Sequence, residues 1–302
     1  MDNVTLKQLR YFEALARHQH FGRAADACAI SQPALSVQIK ELEQNLGTPL
    51  FERTARQVRL TAFGAECVDR IRSVLQGVDE LSEMARASGT GLSGRLRIGV
   101  IPTIAPYLLP ALISRLNSEH PEIDVQIRET VTPRLVEELA DGHIDTAIVA
   151  LPIDVPAFEE TALFEETMVL VRQAKDAEAP APTADALRDM RLLLLEEGHC
   201  FRDQALSFCN LQSTTTREGL DGSSLSTLVQ MVGAGIGVTL IPEMAVEVEA
   251  RSAPVSISRF EGPQPTRTVG MIWRRTNPLA ARLVQISEIV RSASQQVQRD
   301  FP

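Results

Sequence analysis

Residues 29–47 read Ala29-Ile30-Ser31-Gln32-Pro33-Ala34-Leu35-Ser36-Val37-Gln38-Ile39-Lys40-Glu41-Leu42-Glu43-Gln44-Asn45-Leu46-Gly47. Ser31 is a good helix N-cap, because its hydroxyl can accept from a backbone N–H of the first turn. Pro33 is tolerated in that turn, where an amide hydrogen is dispensable. Leu35, Ile39, Leu42 and Leu46 recur at helical spacing and are expected to face inward. Gly47 fits the position after the helix, where a left-handed backbone is common. The outer face then carries Gln32, Ala34, Ser36, Gln38 and Lys40, a small polar surface with one charge.

Upstream, Thr5-Leu6-Lys7-Gln8 reads as a capping box opening a helix whose apolar face is Leu6, Leu9, Phe12, Leu15 and Ala16. His18-Gln19-His20 ends it, and Phe21–Cys28 reads as a short, alanine-rich second helix. Two short helices joined by a tight turn, the later one with a small polar N-terminal face, read as a helix-turn-helix. Its side chains at Ser31, Gln32, Pro33, Ala34, Ser36 and Lys40 would meet DNA in the major groove. Downstream, Leu50–Arg53 and Gln57–Leu60 look like hairpin strands around Thr54-Ala55-Arg56. A wing carrying Arg53, Thr54 and Arg56 suits phosphate or minor-groove contact. The competing interpretation is a plain three-helix surface domain with solvated arginines; the ordered pairing of helix-turn-helix and basic wing favours DNA.

Thr61 is expected to cap a long helix from about Ala62 to Ala87. Cys67, Ile71, Val74, Val78, Leu81 and Ala85 follow a heptad-like spacing, which predicts a seam against a second copy of the chain. Cys67, like Cys28, is read as a small apolar filler. Residues 88–94, Ser-Gly-Thr-Gly-Leu-Ser-Gly, have the composition of a hinge.

Composition bounds the rest. The chain has 302 residues and a formal net charge of −9, which by itself argues against nucleic acid. Residues 1–64 hold eight Lys or Arg against six acids, a net of +2, so the remainder carries −11. That is a basic head on an acidic body. No apolar run approaches a membrane span, and the start lacks the features of a signal peptide, so a cytoplasmic protein without membrane contact is expected. No cysteine or histidine cluster has metal-ligand spacing, so neither metal nor other cofactor is expected.

Beyond the hinge, strands at 95–101, 123–129 and 146–151 alternate with helices through Leu108–Leu116 and from Thr132-Pro133, where Thr132 is expected to be the N-cap. A strand at 167–172 leaves this unit. A second α/β unit follows to Arg267, with a helix near Leu187, a strand at 192–195, a helix at 224–232 and a strand at 238–241. A strand at 268–273 and a helix at 280–291 return to the first unit. Two α/β lobes with two crossovers enclose a cleft suited to small molecules.

Within the second unit, Cys200 and Cys209 lie nine positions apart. On one helix, at about 1.5 Å per residue, their Cα atoms are roughly 13 Å apart, whereas a disulfide needs about 7 Å or less. The pair is therefore either two inert thiols on a helix or a switch that bonds only in a second conformation.

As a set, Phe21-Gly22-Arg23-Ala24-Ala25, Ser31–Ser36, Gly47–Arg53 and Leu60-Thr61-Ala62-Phe63-Gly64 resemble the LysR-type transcriptional regulators, and the resemblance runs the whole length. Gly198–Ala205 with Cys209, supported by Ile101-Pro102-Thr103 and Pro106–Pro110, is similar to the peroxide-sensing branch of that family. Asn210–Gly222, rich in threonine, departs from the branch pattern.

The resemblance implies an all-α winged helix-turn-helix domain (1–61), a linker helix (62–88), a hinge (89–94) and a two-lobed, periplasmic-binding-protein-like α/β regulatory domain (95–302). Lobe I would span about 95–166 and 268–302, and lobe II about 167–267. It implies that hydrogen peroxide oxidises Cys200 to a sulfenic acid, which Cys209 resolves to a disulfide. Thr103, Thr132, His199, Gln204 and Arg267 would line the peroxide pocket, with Arg202 and Asp203 in support. For Arg267 an ordinary strand-end surface arginine is the competing interpretation. The implied partners are promoter DNA, further copies in a homodimer assembling to a homotetramer, RNA polymerase, and thioredoxin- or glutaredoxin-like reductants. The rival functions are a regulator answering to an organic effector in the cleft, and a thiol peroxidase; residues 1–64 have no place in the latter.

Overall fold

Local capping chemistry sets the helix boundaries of the head. The structure, a computed structural model, describes residues 4–53, 58–87, 93–183, 186–187, 190–208 and 221–299, and it divides into units at 1–85 and 86–302. Helix α1 is Leu6–His18, opened by the reciprocal Thr5/Gln8 capping box. Helix α2, Phe21–Ala27, starts where the His20 imidazole accepts from the Arg23 N–H at 3.3 Å. Helix α3, Gln32–Leu46, starts where Ser31 Oγ accepts from the Ala34 N–H at 3.4 Å, and it ends at Gly47 with φ +71°.

Leu35, Ile39 and Leu42 are fully buried against Phe12, Leu15 and Leu50. Leu46, expected inside, is instead 36% exposed, because the last turn of α3 projects past this core. Strands β1 (Phe51–Arg53) and β2 (Val58–Leu60) form the antiparallel wing. The Glu43 carboxylate accepts from the Leu50 and Phe51 amides and ties the wing to α3.

Thr61 Oγ1 accepts from the Gly64 N–H at 2.9 Å and opens helix α4, Ala62–Ala87. The expected seam divides in two. Cys67 and Ile71 pack into the head's own core, while Val74 and Leu81 are 49% and 65% exposed. The first turns of α4 close the winged domain, so only the later positions remain for another partner.

In the second unit, strand β3 (Gly94–Val100), helix α5 (Ala105–Glu119), strand β4 (Ile123–Glu129), helix α6 (Thr132–Ala140) and strand β5 (Thr146–Leu151) build a parallel sheet flanked by helices. Strand β6, Phe158–Gln173, is far longer than the expected 167–172. Its first half pairs with the returning strand and its second half with the other lobe. Glu159, Glu160, Glu165 and Glu166 interrupt the apolar pattern of that first half, which is why periodicity alone misses it.

Strand β7 (Leu194–Leu195), helix α7 (Cys200–Phe208), strand β8 (Asp221–Gly222), helix α8 (Leu225–Gly233), strand β9 (Thr239–Pro242), helix α9 (Val246–Glu249) and strand β10 (Val255–Ser258) follow. Near Leu187, where a helix is expected, the described residues 186–187 are 3-10 helical. Strand β11 (Thr266–Arg274) then returns between β5 and β6, and helix α10 (Ala280–Arg299) packs on α5 and β6.

Each lobe has its own apolar core. One gathers around Ile98, Leu108, Leu135, Ile148 and Trp273, the other around Leu170, Leu193, Phe201, Leu228 and Ile241. Tyr107 of α5 crosses into the second core and donates to Glu249 Oε1 at 2.7 Å. No helix among the described residues is long and apolar enough to cross a membrane.

Candidate functional site

Register brings the first two groups together. In the β6–β11 pairing Glu166 lies directly opposite Arg267. Both side chains are almost completely buried, and Arg267 Nε donates to Glu166 Oε2 at 2.7 Å. Burial pushes the Glu166 carboxyl up from its usual range, and the Arg267 charge opposes that shift. Arg267 is therefore no surface arginine. Its guanidinium lies 5.4 Å from the Phe201 ring centroid. Its Nη1 donates to Thr103 Oγ1 at 2.8 Å and its Nη2 to the Thr103 carbonyl at 3.1 Å. With its oxygen already accepting, the Thr103 hydroxyl keeps its own hydrogen for another partner.

Gly198, with φ +93°, makes the turn into α7 that a residue with a Cβ would resist. Cys200 is then the first helical residue, where unpaired amides favour negative charge. Adjacent side chains of α7 point to different lobes. Phe201, Ala205 and Leu206 enter the second core, whereas Cys200, a half-buried free thiol, packs against the first.

The thiol faces two spaces. A narrow crevice with about 160 Å³ of empty space is lined by Pro102, Thr103, Thr132, His199 and Cys200, too tight for a water-sized molecule unless side chains shift. A groove of about 540 Å³ opens on the other side, lined among others by Thr132, Val136, Cys200, Asp203 and Gln204.

Thr132 is not the N-cap expected of it. Val131 is extended and takes that place, and Thr132 is already helical. Its hydroxyl is buried without a hydrogen-bond partner, and so is Gln204 Oε1. Two such orphaned groups beside one thiol cost stability unless a ligand or water meets them. His199 is half-buried, and burial lowers its pKa against the opposing pull of Glu196.

The expected supporting residues separate. Arg202 is buried and its Nη1 donates to the Leu195 carbonyl at 2.8 Å, anchoring α7 to β7. Asp203 is exposed at the groove. Cys209 lies outside the described residues, as do Thr54 and Arg56 of the wing. In the head, Ser31, Gln32, Pro33, Ala34 and Lys40 are exposed, Ser36 is half-buried, and Arg53 ends β1. Burial, with Glu13 and Glu66 adding to it, pushes the Cys28 and Cys67 thiols up. Sequence reasoning misses Glu166, because its partner is 101 residues away and only strand register joins them.

A winged helix-turn-helix followed by a long helix and a two-lobed α/β domain defines a class of bacterial transcription regulator. Residues 6–65 match the bacterial regulatory helix-turn-helix protein, lysR family, and residues 89–295 match the LysR substrate binding domain. The chain belongs to the LysR family of transcriptional regulators, and within it to the OxyR group. It is 42% identical to the DNA-binding transcriptional dual regulator OxyR of Escherichia coli K12 over 292 residues, covering 96% of this chain and 95% of that protein. A full-length OxyR variant from Pseudomonas aeruginosa has a TM-score of 0.75 at 37% identity, covering 96% of both chains. An H2O2-bound OxyR mutant from Corynebacterium glutamicum has a TM-score of 0.68 at 34% identity, covering 98% of this chain and 94% of that one.

Proposed function

We propose that this chain is a hydrogen-peroxide-sensing, DNA-binding regulator of oxidative-stress genes, with Cys200 as the attacking thiol and Cys209 as its resolving partner. The observation that carries the proposal is the meeting of Cys200, at the start of α7, with the partnerless Thr132 Oγ1 and Gln204 Oε1. The Cys200 thiolate attacks one peroxide oxygen; the O–O bond breaks, the sulfur becomes a sulfenic acid, and the departing hydroxide takes up a proton as water. Thr103, held by Arg267, offers a hydroxyl hydrogen toward the crevice. Neutral His199 offers hydrogen bonding without a fixed charge. Cys209 then condenses with the sulfenic acid, releasing water.

A bonded pair nine positions apart cannot keep an intact helix between its cysteines. Closure therefore unwinds α7 and frees Phe201, Leu206 and Phe208 to repack. Phe208 now stacks edge-on against Phe260, with ring centroids 5.1 Å apart. This repacking alters contacts between copies of the regulatory domain, and through them the spacing of paired heads on promoter DNA.

The protein acts in the cytoplasm as a homodimer assembling to a homotetramer, contacts RNA polymerase, and is reset by thioredoxin- or glutaredoxin-like proteins. It reacts once per subunit and is not an enzyme. Residues 1–61 read DNA, 62–88 pair, 89–94 are the hinge, and 95–302 sense. The test is mass spectrometry of the Cys200–Cys209 linkage before and after peroxide, alongside DNA footprints. A peroxide-dependent linkage with a changed footprint is expected; a footprint that changes in Cys209→Ser as in the wild type would remove the disulfide from the mechanism.

A second function is favoured by one observation, the groove of about 540 Å³ between Thr132 and Cys200. It is the place where a LysR-type regulator would take a small organic effector. Thermal stabilisation by a metabolite with no response to peroxide would favour it.

A further inference from the structure

We infer that the groove beside Cys200 admits the organic part of an alkyl or aryl hydroperoxide, so that the sensor oxidises with neutral organic hydroperoxides as well as with hydrogen peroxide. The inference rests on the assignment of Cys200 as the peroxide-reactive thiol and extends its substrate class.

The two spaces that meet at Cys200 differ in kind. The crevice on the Thr103 side has no room for a water-sized molecule without movement. The groove on the other side, at about 540 Å³, reaches Cys200 without any rearrangement. Val136, Ala150, Leu151, Ile153 and Val155 line it, an apolar wall far longer than a two-oxygen peroxide needs. Hydrogen peroxide is small and fully polar and gains nothing from such a wall. An uncharged hydrocarbon group leaving water gains about 25 cal/mol for each Å² it buries.

The groove also offers polar groups to the reacting end of a ligand. Thr132 Oγ1 and Gln204 Oε1 are buried and partnerless and share the groove lining with the thiol. They can hold the hydroperoxy end, the hydroxyl of Thr132 donating and the Gln204 carbonyl accepting. Charge excludes the other obvious occupants. Among the described residues, no Lys, Arg or His lines the groove, and the charged side chain that does is the acidic Asp203. An organic acid would bury its carboxylate beside a like charge, at a cost that a neutral hydroperoxide avoids.

The step balances. The Cys200 thiolate attacks the terminal oxygen of ROOH, forming the S–O bond as the O–O bond breaks. Sulfur is oxidised to the sulfenic acid. The alkoxide leaves with the bonding electrons and takes back the proton that the thiol gave to solvent, so the products are the sulfenic acid and the alcohol ROH.

The test uses the full-length protein carrying Cys209→Ser, so that the sulfenic acid persists, with trapping by a sulfenate-selective label and mass spectrometry. Hydrogen peroxide and cumene hydroperoxide are compared at matched concentrations. Both are expected to label Cys200. Excess 2-phenyl-2-propanol, the product alcohol, is expected to slow the cumene hydroperoxide reaction and leave the hydrogen peroxide reaction unchanged. Val136→Phe and, independently, Val155→Phe should lower the ratio of cumene hydroperoxide to hydrogen peroxide rates by about tenfold, the scale on which a filled apolar pocket discriminates. If hydrogen peroxide labels Cys200 and cumene hydroperoxide does not, or if the alcohol and both substitutions leave the ratio unchanged, the inference is overturned and the peroxide assignment survives. If neither oxidant labels Cys200, the assignment itself falls.

Discussion

The two lobes of the regulatory unit share an α/β plan but not a scale. Strands β3, β4, β5 and β11 of the first lobe have 7, 7, 6 and 9 residues, and their ladders run in continuous register apart from one irregularity at Val269/Gly270. In the second lobe β9 and β10 have four residues each, and β7 and β8, which flank α7 in sequence, have two. Backbone pairing of that brevity fixes little, and segments with few protected hydrogen bonds open at the lowest cost. The Cys200 thiol thus sits where the lobes meet. Its receiving surface belongs to the rigid lobe, and the helix that carries it belongs to the lobe that can give way.

The largest expected effect breaks the chemistry and leaves both lobes standing. Cys200→Ser should abolish peroxide-dependent transcription in a reporter assay while DNA binding and the reduced-form footprint persist. A retained response would move the sensing role elsewhere.

Next is the buried ion pair across the β6–β11 ladder. Arg267→Ala strands Glu166 in a buried site, and breaking such a pair costs about 3–5 kcal/mol. Chemical denaturation should show that loss for the regulatory domain. A loss under about 1 kcal/mol would mean that solvent reaches the pair, as it does at surface ion pairs.

Smaller and more local is Phe208→Ala, which removes the contact with Phe260. Such an aromatic pair contributes about 0.5–1.5 kcal/mol beyond area burial. The first lobe should be unaffected, and the disulfide should form faster after sulfenylation, because the end of α7 is released. Timed alkylation quenching would measure this, and an unchanged rate would mean that α7 opens from its other end.

The smallest effect is in pH dependence. Burial lowers the His199 pKa in the folded chain, so the unfolded chain binds the proton more readily. The stability this residue allows is present above its unfolded value of about 6.5 and falls as pH drops through that value toward the folded one. His199→Gln should flatten the decline between neutral pH and about pH 5 in thermal melts. An unaltered profile would leave the slope to other groups.

Much of this molecule is legible from local chemistry. Thr5, Ser31 and Thr61 start helices where their hydroxyls can cap, and Gly47 ends one where its φ is positive. The alternation of strand and helix announces two lobes. Legibility fails where a residue answers to something distant in sequence. The first half of β6 carries four glutamates because its neighbours are β11 and the other lobe, not a local apolar face. Thr132 looks like a cap before proline, yet the chain enters α6 one residue earlier and its hydroxyl is left beside Cys200. Arg202 has the spacing of a cation for the thiol, and nothing local announces its hydrogen bond to the Leu195 carbonyl. Glu166 and the apolar groove have no local signal at all, since they come from strand register and from the approach of the lobes.

If a Cys200–Cys209 bond is the switch, α7 must unwind when it closes. Hydrogen exchange of residues 200–208 in the full-length protein, followed by mass spectrometry before and after stoichiometric hydrogen peroxide, addresses it most directly. Slow exchange is expected in the reduced protein, fast exchange once the Cys200–Cys209 linkage appears, and little change in β3, β5 and β11. Unchanged protection of 200–208 in molecules that carry the linkage would contradict it.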